Sequence, residues 1–353
     1  MENLVMNAFW KDKRVLITGH TGFKGAWLAL WLTQLGAKVT GIALAPESPF
    51  FSSLKLEDTI RHIIGDIRDS SVVTNAVTAS DPEIVFHMAA QSLVLRGYET
   101  PIETWSTNVM GTLNLMEALR DLTGPRAVVM VTTDKVYAND EQARPFRETD
   151  PVGGHDPYSS SKAAMEIGVD SWRKSFFAQT EIRMASARAG NVIGGGDWAE
   201  NRIVPDIARA LAADIPVKVR NPNSVRPWQH VLEPLRGYLI LAEKLFTSAD
   251  PDLQSAFNFG PPSEGVRTVK DVVTTALSMW PGAWEDTSRK SYSAHEAQIL
   301  RLATDKAEAL LGHFACWSFE DGIRATIQWY QSVAEGQCPR AVSLKQLQYY
   351  GES

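Results

Sequence analysis

The sequence predicts a doubly wound α/β fold, a parallel sheet with helices on both faces, joined to a smaller C-terminal lobe. Three observations predict it. Short runs of Val, Ile and Leu with little polar alternation recur through the first 190 residues, as strands buried on both faces require. They alternate with longer segments whose apolar residues fall at helical spacing. After about Asn191 this pattern gives way to stretches rich in Gly, Pro, Asn, Arg and Trp.

The elements follow in order. "KRVLITG" (13–19) reads as the first strand. "FKGAWLALWLTQLGA" reads as a helix, with Trp27, Leu28, Trp31, Leu32 and Leu35 on one face. "KVTGIAL" and "HIIGDI" are the second and third strands, and "RDSSVVTNAV" opens the next helix. "EIVFHMAA" is a fourth strand, followed by a long helix, "TWSTNVMGTLNLMEALRDL". "AVVMVTTDKVY" is the fifth strand, "SSSKAAMEIGVDSWRKSFF" a helix and "IRMASARAGNVIG" the sixth strand. "GGGDWAENRIVPD" and "VKVRNPNSVRPWQHV" read as loops and short strands of a cap. The expected organisation is a nucleotide-binding domain at 1–190, with segments near 231–260 and 300–330 returning to it. A substrate lobe occupies 191–330, and a peripheral tail 331–353.

Composition narrows the function. With 353 residues, 44% hydrophobic and 22% charged, the chain is long enough for a sizeable core. A net charge of −6 offers no general attraction to nucleic acid or anionic membrane. The longest apolar stretch is too short to span a bilayer and no signal peptide is visible. The two cysteines, Cys316 and Cys338, make neither a disulfide framework nor a metal cluster, so a reducing cytoplasmic setting and no metal are expected.

Two motifs carry chemistry. "GHTGFKG" places Gly19, Gly22 and Gly25 between a strand and a helix. Glycines there permit a tight turn and close approach of a pyrophosphate, and the helix N-terminus supplies free N–H groups. His20 and Lys24 are bulky for such a loop, and Lys24 is placed to reach phosphate. The acid that usually closes the second strand on the adenosine ribose is missing, since "VTGIALAPES" has none before Glu47. No Arg follows that strand to receive a 2′-phosphate, so NAD is expected. Asp66 in "GDIRD" is positioned for the adenine amino group, or alternatively as a helix N-cap. The second motif is Tyr158 and Lys162 in "YSSSK". Four residues apart, they share a helix face. An ammonium beside a phenol favours the phenolate, so the Tyr158 pKa is expected below its usual ~10. Tyr158 can then take a proton from an alcohol as hydride leaves its carbon.

These motifs, with "FHMAAQS", "TNVMGT", "TTDKVY" and "GNVIGGGDW" in the same order, resemble the extended short-chain dehydrogenase/reductases of the nucleotide-sugar branch. The likeness covers most of 13–230, and "RPWQHVLE" and "NFG" extend it into the second lobe. It implies a Rossmann-like fold holding NAD through Gly19, His20, Thr21, Gly22, Phe23, Lys24, Gly25, Asp66, Ile67 and Ala89, with Tyr158 and Lys162. It implies a nucleotide-diphosphate sugar held by Asn191, Arg202, Arg226 and Arg301, Arg226 matching the diphosphate arginine. His87 is expected to shape the cofactor pocket and Asn108 to support the site. The two long helices imply a homodimer, or a dimer of dimers.

Asp134 and Lys135 stand at the carboxyl end of the fifth strand, where ligands of this fold sit. Sugar 4-epimerases need no additional acid–base pair there, whereas 4,6-dehydratases do. The familiar dTDP-glucose dehydratases carry Asp-Glu. "TTDK", "GNVIGGGDWA" and "RPWQHV" resemble the branch acting on CDP-glucose more closely, and deoxysugars of surface polysaccharide are the implied end products. On that resemblance Thr133, Asp134, Lys135, Tyr158 and Lys162 are the catalytic residues. Thr133 hydrogen-bonds the sugar 4-hydroxyl and Asp134 is the general acid. Lys135 is either the base at C5, as its alignment with the family's glutamate favours, or a cation stabilising the enolate.

Overall fold

A computed structural model describes residues 8–139, 144–262, 265–288 and 299–352. Seven parallel strands form the central sheet: β1 (Arg14–Thr18), β2 (Lys38–Ala43), β3 (Arg61–Ile64), β4 (Ile84–His87), β5 (Arg126–Val131), β6 (Ile182–Ala189) and, after an excursion, β11 (Ala256–Phe259). Their order is β11-β6-β5-β4-β1-β2-β3. The direction of winding reverses between β1 and β4, and that switch point opens a crevice at the carboxyl ends of the strands. The doubly wound α/β expectation therefore holds.

The sheet is buried on both faces, as the apolar runs require. Val129 and Val131 of β5 join one core cluster, while Val128 and Met130 join the other. The larger cluster continues into the second lobe through Trp228, Val231 and Tyr330. Among the described residues, three two-stranded ladders build that lobe. They pair β7 (Val192–Ile193) with β10 (Gln229–His230), β9 (Val225–Pro227) with β12 (Val266–Thr268), and β8 (Val217–Val219) with β13 (Trp284–Asp286).

The lobe is more helical than its composition suggests. Helices occupy Ile203–Ala212, Val269–Met279 and Phe319–Ala334, whereas the helix Leu232–Thr247 packs back on β5 and β6 of the central sheet. The first of these starts inside "NRIVPDI", read as loop from its Asn and Pro. The tail also departs from expectation. The helix Pro339–Glu352 buries Ser343, Leu347 and Tyr350. Ser343 accepts the Trp329 indole N–H at 2.9 Å, and Tyr350 packs edge-on against Trp31 and Trp317. A sparse but correctly spaced set of apolar residues is enough to dock it.

The long helix after β4 is interrupted. Helical turns at Pro101–Trp105 and Gly111–Leu119 flank a π-helical turn, Ser106–Met110, which carries Asn108. Such turns re-aim side chains at functional sites. Asn108 is fully buried and holds the backbone of Gln91 through two bonds, at 2.9 and 3.0 Å. Its amide also donates to Ser161 on the Tyr158 helix at 2.9 Å.

Candidate active site

The glycine loop lies at the end of β1, on the crevice. Gly19 has φ +77°, and a Cβ there would stand 2.7 Å from the Ala89 nitrogen. A Cβ on Gly25 would meet the Gly19 carbonyl oxygen at 2.1 Å. The helix Phe23–Gln34 that follows has no side-chain cap at Gly22. A cradle too narrow for side chains, ending on an uncapped helix N-terminus, fits a dinucleotide pyrophosphate. Thr21 anchors the loop by donating to the Leu44 carbonyl at 3.1 Å, and Phe23 packs towards Phe50.

Two members of the loop face elsewhere. His20 is fully buried beneath β2, where a Cβ on Gly41 would strike its ring, and its Nε2 is hydrogen-bonded to His62 Nδ1. Burial, with His62 nearby, lowers its pKa to about 4, so it is neutral at physiological pH. Lys24 reaches into the catalytic centre, its Nζ 3.5 Å from the Tyr238 hydroxyl. Burial, reinforced by Arg202 and opposed by Asp134, lowers it to about 8. A loop lysine placed to reach phosphate by sequence spacing is thus aimed at the reacting groups.

Asp66 is not the N-cap of the next helix; Asp69 is, accepting from Ser71 and Val72. The Asp66 carboxylate is instead held by the Arg68 side chain at 2.8 and 2.6 Å, which lowers its pKa. Ile67 packs on Gly111, and Ala89 N–H donates to Thr18 at 3.1 Å. His87 is fixed between the hydroxyls of Thr18 and Thr112, both at 2.8 Å. Burial lowers it to about 3, so it positions strand ends and does not titrate near neutrality.

At the end of β5 a turn, Asp134–Val136, brings the reactive residues together. Asp134 is 1% exposed. Its Oδ1 accepts from the Thr133 hydroxyl at 3.0 Å and from Lys135 Nζ at 3.3 Å, while Oδ2 is buried with no partner. The Thr133 hydroxyl also lies close enough to the Tyr158 phenol to favour its ionised form. Tyr158 lies at the start of the helix Pro157–Trp172, which Asp156 caps through Ser159.

The Tyr158 pKa moves opposite to the sequence expectation. Burial pushes it up to about 12, and Asp134 adds to that, against Thr133 and Arg202. Lys162 does not lower it. Its Nζ turns to the Val131 carbonyl at 3.2 Å, and burial with Lys24 lowers it to about 7 while Glu166 raises it. Desolvation of the phenolate outweighs the charges around it.

Of the predicted substrate residues, Asn191 sits after β6 with Oδ1 buried and unpartnered. Arg202 acts electrostatically on both Tyr158 and Lys24, and is held by Asp197 at 3.0 Å and Ser92 at 3.3 Å. Arg226 is buried on β9, donating to Val225 O at 2.9 Å. Arg301 lies on a segment paired with Phe146, its Nε buried without a partner.

Two groups escaped the sequence reading. Tyr238, from the helix Leu232–Thr247, enters the centre from far along the chain, with no local signal. Glu166 had one, because it lies four residues beyond Lys162 on the same helix face. It accepts from Thr132, Ser186 and the Arg188 guanidinium at 2.6 to 3.1 Å.

Comparison with known proteins gives the family. Residues 15–260 match the NAD dependent epimerase/dehydratase family, and the chain belongs to that family. Among its relatives, the CDP-glucose 4,6-dehydratase of Salmonella typhimurium is 44% identical over 349 residues, covering 97% of both chains. The dTDP-glucose 4,6-dehydratase of Mycobacterium tuberculosis is 30% identical over 333 residues, 90% of this chain and 93% of that one. The NAD complex of Bacillus anthracis dTDP-glucose 4,6-dehydratase superposes with a TM-score of 0.76 at 20% identity, over 92% of this chain and 99% of that one. The fold is shared with a Thermus thermophilus UDP-glucose 4-epimerase, TM-score 0.75 at 24% identity, over 90% and 98% of the two chains.

Proposed function

We propose that the protein is an NAD-dependent CDP-glucose 4,6-dehydratase, converting CDP-D-glucose to CDP-4-keto-6-deoxy-D-glucose and water. The observation that carries the reading is the Asp134–Lys135 pair, set beside Thr133 and Tyr158 at the end of β5. An epimerase would leave that pair idle. The long match to the Salmonella dehydratase supports the choice of nucleotide.

The Gly19–Gly25 loop, Asp66, Ile67 and Ala89, with Tyr158 and Lys162, would hold NAD. When bound, NAD accepts the C4 hydride and later returns it to C6. Tyr158 removes the C4 hydroxyl proton while Thr133 hydrogen-bonds that hydroxyl. The C5 proton, now α to a ketone, is acidic, and Lys135 stands ready to take it or to stabilise the enolate. The unpartnered Oδ2 of Asp134 faces no competing group and is available to protonate the departing C6 hydroxyl. Asn191, Arg202, Arg226 and Arg301 supply polar and cationic contacts for the nucleotide diphosphate.

Ile102, Trp105, Met110, Ile167 and Phe176 are exposed large apolar residues on the helices around 101–119 and 157–177. Such a patch favours a homodimer through these helices, or a dimer of dimers. No helix among the described residues is long and apolar enough to cross a membrane. With both Cys316 and Cys338 free, a cytoplasmic setting and a product used for deoxysugars complete the reading.

Incubation with NAD and, separately, CDP-, dTDP-, UDP- and GDP-glucose, followed by mass spectrometry, tests it. Loss of one water chiefly from CDP-glucose is the expected result. Loss chiefly from dTDP-glucose would overturn the nucleotide assignment. Galactose released on hydrolysis, without a mass change, would make the protein an epimerase.

A further inference from the structure

The helix Pro157–Trp172 packs on strand β5 through apolar side chains. Val128 and Met130 of β5 share a core cluster with Met165 and Val169 of the helix. Thr132 and Glu166 continue the same two faces, Thr132 two residues beyond Met130 and Glu166 one turn beyond Lys162. Both are buried, yet their contact is polar. The Thr132 hydroxyl donates to Glu166 Oε1 at 2.6 Å. Arg188 donates its Nε to the same oxygen at 2.9 Å and its Nη2 to Oε2 at 3.1 Å, and Ser186 donates to Oε2 at 2.7 Å.

Stability alone does not call for this arrangement. Apolar residues of the same volume commonly match or better a buried ion pair. What the carboxylate adds is direction. Apolar burial is non-directional, whereas a carboxylate with two donors on each oxygen fixes how the helix sits on the strand end. That strand end matters, because Thr132 is followed directly by Thr133, Asp134 and Lys135. On the helix, Glu166 stands one turn from Lys162 and about two from Tyr158. Lys162 grips the neighbouring Val131 carbonyl at 3.2 Å, but Lys162 is also assigned to NAD. Glu166 is left to hold the strand end.

We propose that Glu166 is a positioning residue for the reaction, clamping the helix that carries Tyr158 and Lys162 to Thr132 and so fixing its register against the Thr133–Lys135 turn. The inference rests on the dehydratase reading for the reaction that this register serves. The working bond is Thr132 to Glu166, because it alone of the four ends beside the catalytic turn. The bonds from Ser186 and Arg188 tie the same carboxylate to β6. Loss of the working bond frees the helix to shift against the turn without unfolding, since Glu166 keeps its other three donors.

Three variants separate a clamp from general support of the fold. Thr132→Val keeps the side-chain shape and removes the clamp bond. Thr132→Ser keeps the bond. Ser186→Ala removes a hydroxyl bond of similar length from the same carboxylate, but on β6. For each, kcat and KM are measured with CDP-glucose at saturating NAD, NAD binding by calorimetry and the unfolding midpoint in urea. The expected result is that Thr132→Val loses roughly 10- to 100-fold in kcat, the scale on which a displacement of about 1 Å acts. KM and NAD affinity are unchanged, because alignment in the transition state is lost and ground-state binding is not. Thr132→Ser retains most of the wild-type kcat. Ser186→Ala lowers the urea midpoint about as far as Thr132→Val does, yet leaves kcat near wild type. A wild-type kcat in Thr132→Val overturns the clamp. Equal kcat losses in Thr132→Val and Ser186→Ala overturn it too, as does a loss confined to KM or NAD affinity. The wild-type control separates this from the functional reading. Wild-type turnover of a different nucleotide sugar, or its epimerisation, would refute that reading, and the same comparison is then made with that sugar, because both reactions begin by oxidising C4.

Discussion

Replacing Arg188 by Met tests how the catalytic helix is held. Arg188 on β6 and Glu166 on the Pro157–Trp172 helix form an ion pair at 2.9 Å, with side chains 5% and 6% exposed. Arg188 also donates to the Tyr137 hydroxyl at 3.0 Å, and Tyr137 donates to Asn258 on β11 at 2.6 Å. Arg188→Met leaves the Glu166 carboxylate buried, with only the Thr132 and Ser186 hydroxyls as partners. Removing one member of a buried pair costs about 3–5 kcal/mol, because the other charge remains desolvated. Removing both charges in Glu166→Gln/Arg188→Met relieves that penalty, so the double variant should be the more stable of the two. Urea denaturation monitored by tryptophan fluorescence should place the Arg188→Met midpoint below wild type by on the order of 1–2 M, with the double variant between them. The pH dependence has a definite sign. Arg188, Thr132 and Ser186 outweigh the burial penalty and hold Glu166 below its ordinary 4.5, so the pair's contribution is complete above that value and fades as pH falls through the lowered one. A double variant as unstable as the single one would refute the assignment of the cost to an uncompensated charge.

Four further outcomes follow. Burial holds His20 at about 4 and His87, His230 and His313 at about 3, so all four are neutral in the folded protein at pH 7. The unfolded chain takes up protons below about 6.5. Their full stability is therefore present above that pH and is lost as pH falls towards 4, by roughly 2 kcal/mol per histidine at pH 5. A melting temperature flat from pH 7 to 5 would contradict this. Gly19→Ala should weaken NAD binding at least about 10-fold by calorimetry, since a left-handed residue costs ~1–2 kcal/mol even before the Ala89 clash. Lys135→Ala should lose exchange of the C5 proton with deuterated solvent; exchange at the normal rate excludes Lys135 as the base. Ile167→Glu places a charge in the exposed apolar patch and should shift the protein to monomer in sedimentation, with the fold unchanged by circular dichroism.

The parallel sheet was legible because its strands are buried on both faces, which imposes unbroken apolar runs such as "AVVMV". The glycine loop and "YSSSK" were legible because turn geometry and helix periodicity fix which residues can meet. What escaped depends on contacts between distant segments. Lys24 looked like a phosphate ligand from its place in the loop, but Tyr238, more than two hundred residues away, sits where its ammonium ends. The Tyr158 pKa was misjudged because spacing reveals a nearby lysine and conceals the depth of burial. The helix Ile203–Ala212 hides in a stretch that reads as loop, because Pro and Asn mark a helix start as readily as a coil. The tail helix docks through Leu347 and Tyr350, too few residues to register as a periodic pattern.

The order in which the sheet is assembled bears on synthesis of the chain. Six strands are complete by Ala189, but the edge beside β6 is covered only when β11 arrives at Ala256–Phe259. Asn258, which anchors Tyr137 and the carbonyls of Phe146 and Ala303, arrives with it. Between those points a ribosome adds the whole intervening segment, a delay on the order of ten seconds at ordinary elongation rates. Throughout that interval the nascent first lobe displays β6 as an open edge, able to pair with another chain. Vectorial emergence thus leaves a window in which this lobe calls for a chaperone, and a fragment ending near residue 190 would carry that exposed edge permanently.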